Sequence, residues 1–526
     1  MDGSTPADLA RQVRDQIEAL LVNLDDAAGA RLDRVEGVVL AELCSLGKLL
    51  VQRFVAQAGD GDVGETLQDD ERELRRLPPR RRRYLSIFGP IIIARLVYGT
   101  QEKRRVRAPL DETLGLPERQ QSYLLQQWLA ARCLDTDYKG AIDGLAALLP
   151  IRPSVRTAES LVAACAEAAK EFEPSPPAAA PAAAPAPTVV EPAAPTAAEP
   201  AAQTTVVEPP KLFAPPTAPA EPPTLLVASV DGKGVPMVAR DRPKPSDPDR
   251  DGRRGTKRMA YAGAVYRIAP FVRTAEDVID ETRRRGRAQD RPKPQNKVLF
   301  AELPQTLDDG TPLGGRDAAW AQVAAELDRR DPSGTQTVHL LIDGEPALAA
   351  VPAAMLTRPF QLILDLMHAL VYLWLAAKAC LPDDLRQQRR FVTAALRLLL
   401  TGRAAEAVAG LRRSATARRL TGPRARDVAI AANYLGARLD MMKYDEYLAA
   451  GLPIASGVIE GACRHLIKDR MERAGMKWTI AGAQAILRLR ALDESGRWAE
   501  FHEARIGAEQ EALHGPAARH APRLAA

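Results

Sequence analysis

The sequence predicts an α/β or α+β region that follows a mainly helical N-terminal region. After residue 224, short apolar runs typical of strands come first, and helical periodicity dominates from Phe360 to about His502. The chain has 526 residues, more than one ordinary domain, and its 46% hydrophobic and 26% charged residues are globular values. It therefore has enough apolar residues for a sizeable core.

The N-terminal region combines helical and strand-like patterns. Apolar residues recur at helical spacing over 5–58 and predict amphipathic helices, which form either core or a dimerisation surface. We assign 1–75 to N-terminal helices that are candidates for oligomerisation. Residues 84–98 are rich in β-forming residues around Gly89-Pro90, which predicts a hairpin.

A second helical part predicts a helix-turn-helix. A helix over 137–149 is followed by a turn, and Ser154 is a candidate N-cap of the next helix. In such a motif Arg152 and Arg156 would meet DNA, although an ordinary helix pair has the same pattern. Hairpin and helices together make 76–173 a candidate DNA-binding module.

A proline- and alanine-rich linker is predicted over 174–223. This stretch contains 16 of the 42 prolines and a single basic residue, Lys211. Such a composition buries too little apolar area to fold, and its prolines keep the chain extended. The linker is predicted to separate an N-terminal module from a larger C-terminal one.

Two apolar runs of the C-terminal part end in an aspartate that is followed by glycine. They end at Asp231 and at Asp343. A strand delivers its last residue to a sheet edge with little freedom, and the glycine lets the backbone turn tightly or approach a substrate closely. The alternative is a strand followed by an ordinary Asp-Gly turn. Between the two runs, alternation over Met259–Ile268 predicts a half-buried strand.

A third acid, Glu460, lies in the first turn of a predicted helix. Ser456 is the candidate N-cap, and the helix dipole favours a negative charge at this end. The predicted buried stripe comprises Ile459, Cys463, Leu466 and Ile467. Arg464 and Lys468 follow Glu460 at four-residue steps on the exposed face, where they would suit a passing DNA strand. The alternative is an ordinary first-turn glutamate with helix salt bridges.

Three acids suit metal-dependent attack on a phosphodiester. Two Mg²⁺ or Mn²⁺ ions roughly 3.5–4 Å apart neutralise the phosphate and activate the nucleophile. Such hard cations prefer oxygen ligands, and the sequence offers no histidine- or thiolate-rich cluster for a softer metal. The five scattered cysteines argue against a disulfide framework or a structural zinc site. Asp231, Asp343 and Glu460 are therefore candidate catalytic residues and metal ligands.

Positive charge is concentrated in two segments. Residues 240–297 contain 17 Lys/Arg against 9 Asp/Glu, and residues 386–426 contain 11 Arg against the single acid Glu406. Two such runs in a nearly neutral chain indicate a polyanionic partner, although a solvated helical face is the alternative for each. In the second run the candidate phosphate contacts are Arg389, Arg390, Arg412 and Arg413.

Several separate motifs resemble bacterial insertion-sequence transposases of the ISKra group. In chain order they are VDGKGVPM (Val230–Met237), GAVY (Gly263–Tyr266), LIDGEP (Leu341–Pro346), KYDEYLAAGLPIASG (Lys443–Gly457), SGVIEGACRHLIKDRMERAGMKW (Ser456–Trp478) and GAQAILRLRALDESGRW (Gly482–Trp498). The resemblance covers roughly 80–172 and 224–502, with the same motif order. The proline-rich linker is longer than the family pattern.

The resemblance implies a ribonuclease H-like catalytic domain with an all-α insertion. It would place Asp231 on the first strand, Asp343 on the fourth and Glu460 on a late helix. The wider Mutator-related group also carries a D-x-x-H signature, which here corresponds to Asp365 and His368. At i and i+3 on one helical face, this pair is expected close to the site; the alternative is a polar pair that caps a buried helix.

The C-terminal part is divided accordingly. Residues 224–380 and 446–502 are assigned to the catalytic domain, 381–445 to an Arg-rich helical insertion and 503–526 to a C-terminal tail. Lys233, two residues after Asp231, joins the candidate DNA contacts.

The predicted function is that of a DDE-type DNA transposase. It would cleave double-stranded DNA at the terminal inverted repeats of an insertion sequence and join the ends to target DNA. Two DNA ends require at least two subunits, so a homodimer or larger assembly is expected. Its expected location is the bacterial cytoplasm, at the nucleoid and not at a membrane. The alternatives are a non-catalytic, domesticated DNA-end-binding protein and a nuclease without strand transfer.

Overall fold

The computed structural model describes most of the chain. The described residues are 5–27, 29–69, 72–100, 106–172, 224–243, 255–283, 290–306, 309–473 and 475–515. The predicted linker and the last part of the predicted tail lie outside them. Within these ranges, no helix combines the length and the apolar character needed to cross a membrane.

The N-terminal region contains the predicted helix pair and hairpin. Its elements are α1 Pro6–Asp26, α2 Leu32–Gln57, β1 Thr66–Asp69, β2 Arg72–Ser86, β3 Gly89–Gly99, β4 Val106–Arg107 and α3 Pro109–Thr113. Strand β2 is longer than predicted, because it also includes Pro78, Pro79 and the arginines that follow. An irregular register between Leu77 and Arg80 lets the two prolines, which lack an N–H donor, stay in the strand.

Three helices follow the hairpin. They are α4 Tyr123–Asp135, α5 Tyr138–Ala146 and α6 Val155–Ala168. The Oγ of Ser154 accepts a hydrogen bond from the Thr157 N–H at 3.1 Å and caps α6, as predicted. Helix α5 begins after its N-cap Asp137 and ends at Ala146, three residues before the predicted end.

A five-stranded sheet forms the centre of the C-terminal region. Its strands are β5 Leu225–Pro236, β6 Lys257–Ile268, β7 Gln295–Glu302, β10 Val338–Ile342 and β11 Phe360–Leu364. The spatial order is β11-β10-β5-β6-β7. Strand β6 is antiparallel to β5 and β7, whereas β10 is parallel to β5 and β11 is parallel to β10. A short separate pair consists of β8 Gln305–Thr306 and β9 Pro312–Leu313.

Helices cover both faces of this sheet. Their bounds are α7 Ala275–Thr282, α8 Gly315–Arg330, α9 Pro346–Met355, α10 Leu366–Cys380, α11 Leu385–Leu400, α12 Ala404–Ala417, α13 Gly422–Gly436, α14 Tyr444–Ala449, α15 Gly457–Ala462, α16 Asp469–Met471, α17 Ile480–Glu494 and α18 Trp498–His514. Helices α8 and α9 pack on one face. Helices α7 and α10–α14 pack on the other, so the predicted helical insertion belongs to the same core as the sheet.

The helices on either side of the predicted linker share a third core. Residues of α4–α6 pack together with α15, α17 and parts of β5, β6 and β7. Two buried arginines join these parts: Arg470 donates to the carbonyl of Cys133, and Arg490 donates to the carbonyl of Leu134. Helices α4–α6 therefore pack as part of the C-terminal body, whereas the sequence predicted a separate module.

Three sequence expectations are corrected by these elements. Strand β6 is buried on both faces from Ala260 to Tyr266, not half-buried, because helices cover both sides of the sheet. Phe360–Leu364 is strand β11, where a helix was expected. Helix α18 continues to His514, so the expected domain end at 502 falls inside a helix.

Candidate active site

Three aspartates form a row across adjacent strands of the central sheet. Strands β5 and β10 are parallel, and Ser229 lies opposite Leu341. Continuing this register by two residues brings Asp231 beside Asp343, and the register of β10 with β11 brings Asp343 beside Asp365. Because neighbouring strands are about 4.8 Å apart, the three carboxylates converge at one end of the sheet.

Asp231 lies within a strand and not at its end, contrary to the sequence expectation. Strand β5 continues to Pro236 through Gly232 and Gly234. A Cβ atom on Gly232 would lie 2.9 Å from the Met259 Cε, and one on Gly234 would lie 3.0 Å from the Lys257 Cδ. The two glycines therefore make room for side chains of β6 and do not form a turn.

Asp343 follows β10 directly and is held by its own loop. Its Oδ1 accepts a hydrogen bond from the Glu345 N–H at 2.8 Å. Gly344 has a φ of +79°, so the expected tight turn after the acid is present here. Tyr434 of α13 and Arg438, two residues after its end, fix the same loop, because the Tyr434 hydroxyl donates to the Asp343 carbonyl and the Arg438 Nε donates to the Gly344 carbonyl at 2.6 Å.

These two contacts, from Tyr434 and Arg438, were not predicted. The Arg438 guanidinium also lies 3.9 Å from the centre of the Tyr434 ring, and Tyr372 of α10 stacks on that ring. The contacts join residues about 90 positions apart in the chain. A periodicity argument has no access to such pairs, and the arginine and tyrosine alone carry no distinguishing signal.

Asp365 connects two elements of the site. It is buried and is the N-cap of α10, where its Oδ1 accepts from the backbone N–H of Met367 at 2.7 Å and of His368 at 3.4 Å. Its Oδ2 accepts from the Ser456 N–H at 2.7 Å. The expected i, i+3 contact between Asp365 and His368 is present, at 3.7 Å, and Asp365 also caps its helix, as the alternative predicted. Asp365 in addition fixes the start of the helix that carries Glu460.

Glu460 lies in the first turn of α15 and faces solvent. The Ser456 Oγ accepts from the Ile459 N–H, so the predicted N-cap is present, and the predicted stripe is buried. From Cys463 to Lys468 the helix widens into π-helical turns. Arg464 and Lys468 are both exposed, but the wider turn removes the regular four-residue step expected between them.

His368 lies between the acids. Its Nδ1 is 3.7 Å from the Asp365 Oδ1, and it has no hydrogen-bond partner among the described residues. The contact with Asp365, followed by the charges of Asp343 and Asp231, raises the pKa of His368 although burial opposes this. The imidazole therefore holds a proton more readily than a free histidine does.

Cys463 is a site residue that the sequence did not indicate. It was predicted as part of the buried stripe, and its Sγ also contacts the Asp231 Oδ2 at 3.3 Å. Burial and the neighbouring carboxylate raise the pKa of this thiol, so it stays protonated and serves as a donor. The only available signal was its i, i+3 spacing from Glu460.

The acids interact with one another electrostatically. Burial, with a contribution from the charge of Asp343, raises the pKa of Asp231. Burial and the charges of Asp365 and Asp231 raise the pKa of Glu460. Within the described residues, no lysine or arginine nitrogen lies within 4.0 Å of Asp231, Asp343 or Glu460. A cation at this position would relieve the repulsion.

One group of side chains in the described part of the chain has the spacing of a metal site. It consists of Asp365, His368 and Glu460, whose potential ligand atoms lie within 4.8 Å of one another. Asp231 and Asp343 are outside this group, so only Glu460 of the predicted ligands belongs to it. Because both Asp365 oxygens already accept backbone hydrogen bonds, Glu460 and His368 are its less constrained members.

The predicted DNA contacts are mostly exposed. The exposed side chains are Arg152, Arg156, Arg389, Arg390, Arg412, Arg413, Arg464 and Lys468, whereas Lys233 is half-buried. Arg152 is paired with Asp143 at 2.8 Å. Arg389 and Arg390 line a groove that includes Met367 and Val458, close in the chain to the acids, whereas Arg412 and Arg413 do not.

Comparison with known proteins gives no further indication. Neither the models of known protein families nor the curated proteins include a match to this chain.

Proposed function

We propose that this protein is a metal-dependent DNA transposase of the DDE type that uses Asp231, Asp343 and Glu460 as catalytic residues and metal ligands. One observation carries the proposal. Asp231 and Asp343 are neighbours on β5 and β10, Glu460 of α15 is close enough for the charge of Asp231 to act on it, and none of the three has a lysine or arginine partner in the described residues. Acids arranged in this way are suited to divalent cations. The described group that has metal-ligand spacing shares only Glu460 with this set.

The architecture supports the same proposal. The resemblance to ISKra-group transposases implies a ribonuclease H-like domain with its first acid on the first strand and its second on the fourth. In chain order β5 and β10 are the first and fourth strands of the central sheet. Helices interrupt the sequence between Asp365 and Glu460, as an all-α insertion would.

The donor set fits Mg²⁺ or Mn²⁺. Carboxylate oxygens are hard ligands, and two bound ions would neutralise the phosphate and activate the attacking oxygen. The chain's own residues have separate tasks. The β5 backbone and the Cys463 thiol orient Asp231, Tyr434 and Arg438 hold the Asp343 loop, and Asp365 fixes the start of the Glu460 helix. His368 lies beside Asp365 in the group that has metal-ligand spacing.

The surface of α1 and α2 supports assembly of two copies. Large apolar side chains recur along α2 with spacings of three, seven and four residues, and two more lie on α1. They are Leu40, Leu43, Leu50, Phe54, Ile17 and Leu21, all at least 43% exposed. A monomer rarely leaves such a stripe in water, and a second copy of the same hairpin would cover it. Sedimentation velocity of L43E/L50E should therefore show a smaller species than the wild type.

Cleavage of element ends tests the catalytic proposal. The substrate is a duplex that carries the terminal inverted repeats flanking the coding region, with Mg²⁺ or Mn²⁺ present. D231N, D343N and E460Q should each lower the cleavage rate on the order of 10³-fold, while duplex binding stays within about twofold. Asp445→Asn, in the exposed part of α14, is the control and should cleave normally.

The alternatives give different results in the same assays. A non-catalytic end-binding protein binds the repeats but does not cleave with either metal. A nuclease without strand transfer cleaves but does not join pre-cut ends to target DNA. Metal-dependent cleavage that persists in all three acid variants contradicts the proposed catalytic residues.

A further inference from the structure

A large groove lies beside the acids. Its volume is about 2160 Å³, and it is lined by α7, α10, α11 and residues 451–458, which we call the α10 groove. Two lining residues, Met367 and Val458, are one residue from His368 and two residues from Glu460 in the chain. The groove is larger than the roughly 300–1,000 Å³ of a small-molecule pocket. Its size and position therefore suit a polymer that leads to the acids.

The charge of the α10 groove is strongly positive. Among the described residues, seven lysine or arginine side chains line it against one acid, Glu281, which is already paired with Arg291. Arg389 and Arg390 are exposed, and no carboxylate in the described residues lies within salt-bridge distance of either. The buried Arg273 Nε also has no hydrogen-bond partner there. A polyanion would satisfy these cations.

An apolar stripe on α10 lies in the same groove. Met367, Val371 and Trp374 recur at steps of four and three residues, so they lie on one helical face, with Lys378 one turn further. Met367 is 48% and Val371 is 62% exposed. A DNA duplex keeps its bases stacked inside and would leave this stripe unused. Unpaired bases stack on apolar and aromatic side chains while the backbone follows the cations.

We propose that the α10 groove binds a single unpaired DNA strand that leads to the acids. Its bases lie against Met367, Val371 and Trp374, and its phosphates follow Arg389 and Arg390. The identity of the polymer as DNA rests on the proposed function. The inference adds that the DNA bound here is single-stranded. The two strands of the duplex must therefore separate next to the scissile phosphate.

Fluorescence anisotropy with a short labelled single strand in EDTA tests the stripe. V371Q changes an exposed side chain without changing charge, and it should weaken binding about tenfold, because it removes apolar area that an unpaired base would cover. I430Q is the matched control, because Ile430 is 46% exposed on α13 and is not part of the groove. Equal affinities of V371Q and wild type, or equal weakening by I430Q, overturn the proposal.

A second comparison separates base stacking from charge. An abasic strand of the same length should bind the wild type about tenfold more weakly than the ordinary strand, and V371Q should reduce this difference. R389Q/R390Q should weaken strand binding more than R412Q/R413Q, which removes the same charge outside the groove. Equal binding of both strands, or displacement by polyglutamate at equal charge, makes the groove a general polyanion site and overturns the proposal.

These outcomes are independent of catalysis because no metal is present. Strand binding as expected, without metal-dependent cleavage, leaves the groove assignment intact and contradicts the catalytic proposal. The opposite result contradicts the groove assignment alone. In that case cleavage depends on the acids, but V371Q and R389Q/R390Q cleave and bind the single strand as the wild type does.

Discussion

The acids at the end of the sheet differ from a buried acid elsewhere in this protein in whether a basic side chain compensates their charge. Asp111 forms ion pairs with Arg82 and Arg95, and it lies in a largely buried position. Asp231, Asp343 and Glu460 instead lie near one another with no lysine or arginine partner in the described residues.

The difference shows what each arrangement is suited for. A buried carboxylate beside an arginine is compensated by the chain itself, so removing the partner leaves an uncompensated charge. Carboxylates that repel one another are compensated only when a cation is added, so neutralising one of them relieves strain in the folded state. The two regions therefore predict opposite responses of stability to mutation.

The largest expected effect lies at the site. Neutralising Asp231 or Glu460, as in D231N or E460Q, should lower cleavage on the order of 10³-fold and leave the free energy of unfolding in EDTA unchanged or raised. Urea denaturation of the metal-free protein measures this. A clear loss of stability in both variants would mean that these acids have structural partners, and the contrast with Asp111 would fail.

Removing a buried arginine should give the next largest effect. Arg358 is 5% exposed and contacts Asp328 at 2.6 Å and Asp331 at 3.2 Å. R358M leaves the carboxylates without their cation and should lower the free energy of unfolding by about 3 kcal/mol.

An exposed ion pair is the control for R358M. Arg397 pairs with Glu276 at 2.8 Å at the surface, so R397M should change stability by less than about 0.5 kcal/mol in the same urea titration. Similar losses in both variants would remove burial as the cause.

Glu302 is an intermediate case, because it is buried beside mostly neutral partners. Its Oε2 accepts from the Gln484 Nε2 at 2.9 Å, and burial raises its pKa to about 7 although Arg488 opposes this. The folded state thus binds a proton that the unfolded state has lost above about pH 4.5, so this group makes stability fall as pH rises from 4.5 to 7.

The variant E302Q should remove this pH dependence. A shift of the pKa from 4.5 to about 7 corresponds to about 3 kcal/mol at most. The free energy of unfolding of E302Q, measured relative to the wild type, should therefore rise by up to that amount between pH 4.5 and pH values above 7. Urea titrations at several pH values measure the slope. Glu18→Gln, on the exposed face of α1, should leave the profile unchanged. An identical slope in E302Q and wild type would show that Glu302 does not titrate in this range.

The sequence located the acids better than it located their surroundings. Asp343 and Glu460 could be placed because a strand end and a helix start carry local signals, the Asp-Gly pair and the Ser456 cap. Asp231 was assigned to a strand end because Gly232 resembled a turn, although here glycine makes room for β6. The five-residue strand before Asp365 is too short to show period-two alternation against its helical neighbours.

Long-range contacts were the part that the sequence could not supply. Tyr434 and Arg438 lie in a predicted helical insertion, and nothing local marks them as partners of the Asp343 loop. The same holds for α4–α6, whose shared core with the sheet depends on pairs more than 300 residues apart, such as Arg470 with Cys133. Patterns along the chain report faces of elements, and they do not report which faces meet.

The smallest expected effect concerns the loop that carries Asp343. Gly344 has a φ of +79°, and a Cβ atom there would lie 2.5 Å from the Arg438 Nε and 2.7 Å from the Leu364 Cδ1. G344A should therefore displace Arg438 from the loop and lower cleavage about tenfold, with a stability loss of about 1–2 kcal/mol.

Gly310 separates backbone strain from this displacement. It has a similar φ of +84°, and no atom of the described residues lies within 4 Å of an added Cβ, so G310A has the same strain without the contact. G310A should lose about 1 kcal/mol of stability and cleave at the wild-type rate. If G344A also cleaves at the wild-type rate, Tyr434 and Arg438 do not position Asp343, and this end of the sheet is organised by the strands alone.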